Sequence, residues 1–284
     1  MKIKFTADST VDLTKELIEK YEVDIVPLTV VLGDKEHKDG VDVSPDDIYN
    51  YVDKTGILPT TAGVNENDYF NVFKKYTDLG YTIIHFNISS DMSVSNASAK
   101  KVAEKMKNVF VIDSRTLSTG TALLLIYAKK LELNGYSAEE IIKRVENTIP
   151  FVHASFILDN LIYLHKGGRC SSLALLGANL LKIKPCIAIK NGKMVVAKKY
   201  RGTFEKVVKE YVLDIMKSHK NYDDSMIFIT HTQMDKSILQ SIKETIKQHS
   251  RFKEIIDTVA GGTVTSHCGK NTVGILFVNK PLEY

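Results

Sequence analysis

The sequence predicts an α/β fold in which short buried strands alternate with amphipathic helices. In the first half, apolar runs at residues 3–7, 81–88 and 109–112 are each followed by a polar turn and a helical pattern. This alternation is typical of a mainly parallel sheet flanked by helices. In the second half, Asn191-Gly192 joins two β-like runs, which is the strongest short signal for an antiparallel hairpin. We therefore predict two α/β domains, the second with a mixed sheet and helices.

The elements of the first domain follow from local patterns. Ser44-Pro45-Asp46-Asp47 combines an N-cap, a proline at the first helical position and a capping acid, so a helix is predicted to about residue 54. A second capping box begins at Ser137 and predicts a helix toward residue 148. The remaining predictions are strands at 3–7, 81–88 and 109–112, extended pieces within 23–32 broken at Pro27, helices over 13–21, 66–78 and 119–133, and a helical segment that follows the serine-rich turn and runs to about residue 107.

The pattern changes near Pro150, which predicts domains of residues 1–150 and 151–284. Residues 155–164 are extended or mixed, and residues 173–181 are predicted to be helical. The hairpin strands are predicted at 183–189 and 194–200, followed by helices over 203–219 and 235–248 and by strands at 226–230, 254–259 and 273–278.

Composition narrows the function classes. The chain has 284 residues, of which 44% are hydrophobic and 25% charged, and its net charge of +4 comes from scattered lysines. The sequence contains no block of basic residues of the kind that predicts nucleic-acid binding. The longest uncharged apolar stretch, residues 122–128, is too short to span a bilayer, so we predict a cytoplasmic protein with at most transient membrane contact. Cys170, Cys186 and Cys268 show no C-x-x-C pattern, so neither a disulfide framework nor a metal site is predicted.

A serine-rich turn follows the predicted strand at residues 81–88. Its five serines are Ser89, Ser90, Ser93, Ser95 and Ser98. A strand that leads into a helix N-terminus presents unpaired backbone N–H groups and the positive end of the helix dipole, which together favour anions. The alternative is that one serine caps the helix and the others are solvated.

Other polar clusters follow predicted strands. Asp8-Ser9-Thr10 comes after the first strand, Thr60-Thr61 is predicted to lie in a loop after Pro59, and Asp113-Ser114 follows the strand at 109–112. Ligands of open α/β sheets bind at the carboxyl ends of the strands. We therefore expect these clusters to share one edge of the sheet.

Taken in this order, the motifs resemble those of the DegV family of bacterial fatty-acid-binding proteins. The family motifs D-S-T-x-D-L, T-S, S-S-x-L-S-G-T, K-G-G-R-I-S and I-K-P are matched by residues 8–13, 61–62, 89–95, 166–171 and 183–185, and its H-x-G-P-G is matched in part by 267–271. Three residues depart from the pattern. Ala62 replaces a serine, Val94 a glycine and Lys270 a proline.

The resemblance implies a two-domain DegV-like fold and a lipid carrier rather than an enzyme. It implies a long-chain fatty acid such as palmitate, stearate or oleate, held with its carboxylate near the domain junction and its tail in an apolar tunnel. It also implies that a separate fatty acid kinase receives the bound acid and makes acyl phosphate for phospholipid metabolism. No cofactor is expected. The residues that the resemblance assigns to the carboxylate are Thr61, Ala62, Ser93, Val94, Arg169 and His267.

These residue types suit an ionised carboxylate, because burying one without donors is very costly. The Thr61 and Ser93 hydroxyls, a backbone N–H at Ser93 or Val94, and Arg169 or His267 would offset that cost through charge-assisted hydrogen bonds. Each of these residues also has a structural alternative: Thr61 a turn, Ser93 an N-cap, Arg169 a surface ion pair and His267 a satisfied core histidine.

The rival hypothesis is a phosphoryl-transfer enzyme, similar to a phosphatase, with Asp8 as its nucleophile. Phosphatases of that kind commonly carry a second acid two residues later, and here that position is Thr10. The sequence has no phosphate loop of the G-x-x-x-x-G-K-[ST] type and no dinucleotide fingerprint after a strand. Ser93 also lacks the flanking glycines of a hydrolase nucleophile elbow.

Overall fold

The computed structural model describes residues 2–173, 183–280 and 282–284. The helix predicted over residues 173–181 lies, apart from its first residue, outside the described part of the chain. The strands are β1 (Lys2–Asp8), β2 (Asp24–Val26), β3 (Thr29–Leu32), β4 (Lys35–Lys38), β5 (Thr60–Ala62), β6 (Tyr81–Asn87), β7 (Val109–Asp113), β8 (Val152–Leu158), β9 (Lys184–Lys190), β10 (Lys193–Tyr200), β11 (Met226–His231), β12 (Glu254–Val259) and β13 (Thr272–Val278). The α-helices are α1 (Lys15–Lys20), α2 (Pro45–Thr55), α3 (Glu66–Thr77), α4 (Ser95–Ala103), α5 (Thr119–Leu133), α6 (Ala138–Thr148), α7 (Ile162–Gly167), α8 (Phe204–Ser218), α9 (Lys236–His249) and α10 (Gly262–Cys268).

The first half contains the predicted parallel sheet, with strand order β2-β1-β6-β7. Both of its faces are covered, since consecutive residues are buried over 5–8 in β1 and over 82–87 in β6. On one face, Tyr69 and Phe73 of α3 pack on Ile83 together with α4. On the other face, Phe5 and Phe86 pack against α1, α5 and α6.

The second half contains a mixed six-stranded sheet, with order β10-β9-β8-β13-β11-β12. The β9–β10 hairpin predicted at Asn191-Gly192 is present and antiparallel, and β11–β12 is parallel. Helices α8 and α9 cover one face of this sheet. Helix α5 contacts the other face as well as the parallel sheet. Burial against both sheets explains why α5 is apolar around most of its circumference.

A small antiparallel sheet, β4-β3-β5, holds two elements that differ from the predictions. The predicted loop at Thr60-Thr61 is wrong, because these residues form β5, where Thr61 pairs with Val30 of β3. Strand β4 was not predicted either. Strands of three and four residues are too short to show a period of two, and β5 is specified by its partner rather than by its own sequence.

Three helices also differ from the predictions. Helix α7 begins at Ile162, within the segment 155–164 that was predicted to be extended or mixed. Helix α4 ends at Ala103 rather than near residue 107, and Asn108 follows with a left-handed φ of 61°. Helix α10 was not predicted, since its sequence Gly-Thr-Val-Thr-Ser-His-Cys is poor in strong helix formers. Its first turn is instead fixed by tertiary hydrogen bonds to Asp12 and Asp39.

The passage from the parallel to the mixed sheet falls between α6 and β8, close to the predicted boundary at residue 150. The division into residues 1–150 and 151–284 stays a proposal. Helix α5 belongs to the first of these segments but packs on both sheets, so the two segments share part of their core. Among the helices of the described residues, none is both long enough and apolar enough to cross a bilayer.

Candidate functional site

A cavity lies where the carboxyl end of the parallel sheet meets the six-stranded sheet and α10. Its walls are largely apolar. They include Leu28, Ile88, Met92, Leu117, Phe156 and Leu276. Concave sites with apolar walls and a few polar groups are typical of small-molecule binding.

One polar group at this cavity is a hydrogen-bonded pair formed by Thr61 and His267. Thr61 Oγ1 lies 2.7 Å from His267 Nε2, although the two residues are 206 positions apart. The other ring nitrogen, Nδ1, is buried with no partner in the described part of the chain. It lies against Gly167, where an added Cβ would come within 2.3 Å of Nδ1. Burial, and after it the charge of Arg169, lowers the pKa of His267 to about 4, so the ring is neutral at physiological pH.

A second polar group is the hydroxyl of Ser93, which stands before α4. Ser93 Oγ accepts a hydrogen bond from Ser95 N at 3.2 Å and lies 2.9 Å from Ser95 Oγ. The expectation that a serine is the N-cap of this helix is wrong, because the N-cap is Val94 and no side chain caps it. Ser93 is therefore tied to the first turn of α4 while its side chain lines the cavity.

Gly63 allows β5 and the serine turn to approach each other. An added Cβ at Gly63 would lie 2.8 Å from Val94 Cγ2 and 3.1 Å from Ser93 Oγ, closer than ordinary contacts. The next residue, Val64, donates its N–H to Ser95 Oγ at 3.1 Å. Sequence reasoning missed Gly63. The only signal was a glycine directly after Thr61-Ala62.

Arg169 supplies a cation at the cavity. Helix α7 ends at Gly167 and is capped by Gly168, which has a left-handed φ of 68°. The chain then turns so that Arg169 lines the cavity. Its Nη1 donates to Gly167 O at 2.6 Å and its Nε to Met92 O at 3.5 Å. Both bonds are to carbonyl oxygens, so the cationic charge of this exposed guanidinium is not neutralised by either of these partners.

The structure brings five of the six predicted site residues to the cavity wall: Thr61, Ala62, Ser93, Arg169 and His267. Val94 is not among the lining residues, and its side chain is 68% exposed. Its predicted contribution was through the backbone, at the start of α4. We call the group of Thr61, Ser93, Arg169 and His267 the mouth cluster.

Two buried carboxyl groups lie near the N-terminus of α10. Asp12 accepts hydrogen bonds from Ser118 Oγ at 2.5 Å and from Gly261 N at 2.8 Å. Asp39 accepts from the backbone N–H groups of Gly262 at 2.7 Å and Thr263 at 3.0 Å. Burial is the main cause that raises the pKa of Asp12 to about 7, and Asp39 adds to it. Asp39 was not singled out from the sequence, because only the fold brings it to α10.

Asp8, the nucleophile of the rival hypothesis, is buried away from the cavity. It is 1% exposed and is not among the lining residues. Tyr69 Oη donates to its carboxylate at 2.6 Å, Asn87 Nδ2 at 3.0 Å and Ile88 N at 3.3 Å. Both carboxylate oxygens are therefore engaged in joining β1 to β6 and α3.

Comparison with known proteins adds independent findings. A family model described as "Uncharacterised protein, DegV family" matches residues 2–280. A DegV domain-containing protein of Clostridium acetobutylicum is 33% identical over 281 residues, which cover 98% of this chain and 99% of the relative. A DegV family protein from Thermus thermophilus, described by its fatty acid binding, has a solved structure with a TM-score of 0.89 at 25% identity, covering 98% of this chain and 100% of that chain. A stearic acid-binding protein from Eubacterium ventriosum has a TM-score of 0.82 at 25% identity, with 99% of each chain covered.

Proposed function

The chain belongs to the DegV family, and from this premise we propose that it binds one long-chain fatty acid in the cavity, with the carboxylate at the mouth cluster. The observation that carries the proposal is the combination of largely apolar walls with the Thr61 and Ser93 hydroxyls and the Arg169 guanidinium, which bonds to carbonyl oxygens and has no carboxylate partner among the described residues. An acyl chain needs only the apolar walls, whereas an ionised carboxylate needs the hydroxyl donors and the positive charge.

The hydrogen bond between Thr61 and His267 favours Thr61 as a donor to the carboxylate. A neutral imidazole carries one proton, and buried N–H groups are almost always paired. Nδ1 has no partner in the described part of the chain, so the proton belongs on Nε2, where it is donated to Thr61 Oγ1. The hydroxyl hydrogen of Thr61 is then free for a ligand oxygen. In this proposal His267 acts through Thr61 and keeps that hydrogen directed into the cavity.

The charges around the cavity give the ligand a direction. Arg169 belongs to the mouth cluster, whereas Asp12 and Asp39 lie behind Ser118 and Thr263, which line the cavity near the start of α10. A carboxylate is attracted by the guanidinium and gains no cationic partner from the Asp12 and Asp39 carboxyl groups. We therefore place the head group at the mouth and the tail against the six-stranded sheet.

Burial of the acyl chain supplies most of the affinity. Each methylene removed from water contributes about 0.8 kcal/mol, so about fourteen of them contribute roughly 11 kcal/mol before the costs of association. The palmitate, stearate or oleate expected from the sequence would thus need few polar contacts. Bound acid is the only cofactor-like group in this proposal.

We further propose that the chain is a cytoplasmic carrier that presents the carboxylate to a fatty acid kinase for acyl phosphate formation. Exposure of Ala62, Val94 and Arg169 supports this, because a partner could approach the head group there. The proposal is tested by mixing the loaded protein with a purified bacterial fatty acid kinase and ATP. Acyl phosphate should form from bound acid, and its absence with a kinase that is active on another carrier would contradict this part of the proposal.

Ligand extraction tests the binding proposal itself. Protein purified from a bacterial host, examined by native mass spectrometry and by organic-solvent extraction, should carry one fatty acid per chain. After delipidation, added palmitate should bind again in calorimetry. A chain that releases no fatty acid and does not bind added palmitate would refute the proposal.

A further inference from the structure

We propose that Gly274 and Phe156 set the longest acyl chain that the cavity accepts, an inference that rests on the proposed fatty-acid binding. Gly274 lies in β13, between β8 and β11 in the middle of the six-stranded sheet. It pairs with Phe156 on one side and with Thr230 on the other, and all three residues line the cavity.

The alternation along β13 shows which face Gly274 occupies. Its neighbours Val273 and Ile275 belong to the apolar cluster beneath α8. Successive residues of a strand point to opposite faces of the sheet, so position 274 faces the cavity side. Phe156 of β8 and Leu276 of β13 both line the cavity with their side chains, and Gly274 lines it without one.

The backbone at this position does not require glycine. Gly274 has no left-handed φ, unlike nine other glycines of the described residues. Glycine in the interior of a strand weakens it and often marks a site where a ligand approaches closely. The Cβ position itself is crowded by atoms of residues that line the cavity. An added Cβ would lie 3.2 Å from Leu276 Cδ1, 3.3 Å from Ser155 O and 3.4 Å from Phe156 Cβ, so a methyl group there would displace these neighbours and change the wall of the cavity.

Phe156 occupies volume in the part of the cavity where Gly274 leaves volume open. Its side chain is 5% exposed and packs in the cluster with Leu158 and Ile187. A smaller side chain there would add volume beside Gly274, whereas a methyl group on Gly274 would remove it. The two positions therefore make opposite predictions, which separates a length-setting role from general destabilisation.

The experiment measures the dissociation constants of a series of saturated acids, from dodecanoate to eicosanoate, with delipidated protein. In Gly274→Ala, the preferred length should fall by about two carbons. The affinity for the longest acid that the unmodified protein accepts should fall about 15-fold relative to the acid two carbons shorter, since each methylene is worth about 0.8 kcal/mol. Phe156→Leu should shift the preference toward longer acids. Val273→Ala, on the other face of β13, should leave the preference unchanged.

Each outcome decides the inference. Unchanged length preference in both folded variants, with the unmodified protein still binding acids, overturns the role of Gly274 and Phe156 while leaving fatty-acid binding intact. If the unmodified protein binds no acid in the series, the proposed function itself fails and the inference with it. If Gly274→Ala does not fold, the direction of the shift in Phe156→Leu decides alone.

Discussion

The mouth cluster and the wall of the six-stranded sheet line the same cavity but are built differently. The mouth takes Thr61 from a three-residue strand, Ser93 and Arg169 from turns and His267 from a short helix. The wall takes residues from three neighbouring strands of one sheet, β8, β13 and β11. In the mouth, single polar atoms should decide affinity. In the wall, volume should decide which acyl chain fits.

The largest effect should come from removing both hydroxyls of the mouth. In Thr61→Ala/Ser93→Ala, each lost bond to a charged group costs about 1.5–3 kcal/mol, so palmitate affinity should fall at least about 100-fold. Calorimetry with delipidated protein measures the loss. The matched control is Thr60→Ala/Ser98→Ala, two residues that do not line the cavity. Equal palmitate affinities of the two double variants would show that the two mouth hydroxyls do not decide affinity.

Asp12, one of the two buried carboxyl groups near the start of α10, should make folding stability depend on pH. The folded pKa of Asp12, about 7, exceeds its ordinary value of 3.8, so the folded protein favours the protonated form. Its stabilising contribution is complete below pH 3.8 and is lost as the pH rises through 7. The free energy of unfolding should therefore decrease with pH, by up to about 1.4 kcal/mol per unit from this group.

Asp12→Asn isolates this group from the rest of the titration. Urea unfolding at several pH values between 4 and 8 should give a flatter profile for Asp12→Asn than for the unmodified protein. Asp53→Asn is a suitable control, since Asp53 is an exposed partner of Lys270. Parallel profiles for Asp12→Asn and the unmodified protein would mean that Asp12 is ionised like an ordinary surface acid.

A moderate effect is expected from the cation of the mouth. Arg169 is exposed, so solvent screens it, and Arg169→Ala should weaken palmitate binding by about 1 kcal/mol or less, roughly fivefold. The loss should shrink as salt is raised. Lys166→Ala, an exposed cation that does not line the cavity, is the control. If Arg169→Ala changes neither palmitate binding nor acyl phosphate formation, Arg169 serves neither the ligand nor the kinase.

The smallest effect should occur at Lys270, which departs from the family pattern. Lys270 Nζ pairs with Asp53 at 2.8 Å on the surface, outside both the mouth and the wall. Exposed ion pairs contribute about 0–1 kcal/mol. Lys270→Ala should therefore leave palmitate affinity unchanged and shift the melting temperature only slightly. A large loss of binding would show that the loop after α10 is coupled to the mouth.

Local sequence signals predicted the regular elements well. Both capping boxes, at Ser44 and Ser137, begin helices with reciprocal hydrogen bonds, and Asn191-Gly192 joins two antiparallel strands. Each of these signals concerns residues close in sequence, so no tertiary information is needed to interpret them. The predicted α/β fold class is confirmed by the structure and its solved neighbours, and the DegV family by the match over residues 2–280.

The features that escaped prediction depend on distant partners. Strand β5 exists because Thr61 pairs with Val30, and α10 begins where Asp39, 223 positions earlier, accepts the N–H of Gly262. Gly63 is needed because the side chains of residues 93–95 lie against it. Motif comparison could name Thr61 and His267 as site residues, but only the fold could show that they bond to each other.

The account depends most on where the carboxylate lies, and a crystal structure of the protein with palmitate tests this directly. The account predicts carboxylate oxygens within about 3 Å of Thr61 Oγ1 and Ser93 Oγ, with the chain extending toward Gly274. A carboxylate at the interior end beside Ser118 and Thr263, or a cavity without an elongated ligand at saturating palmitate, would contradict it.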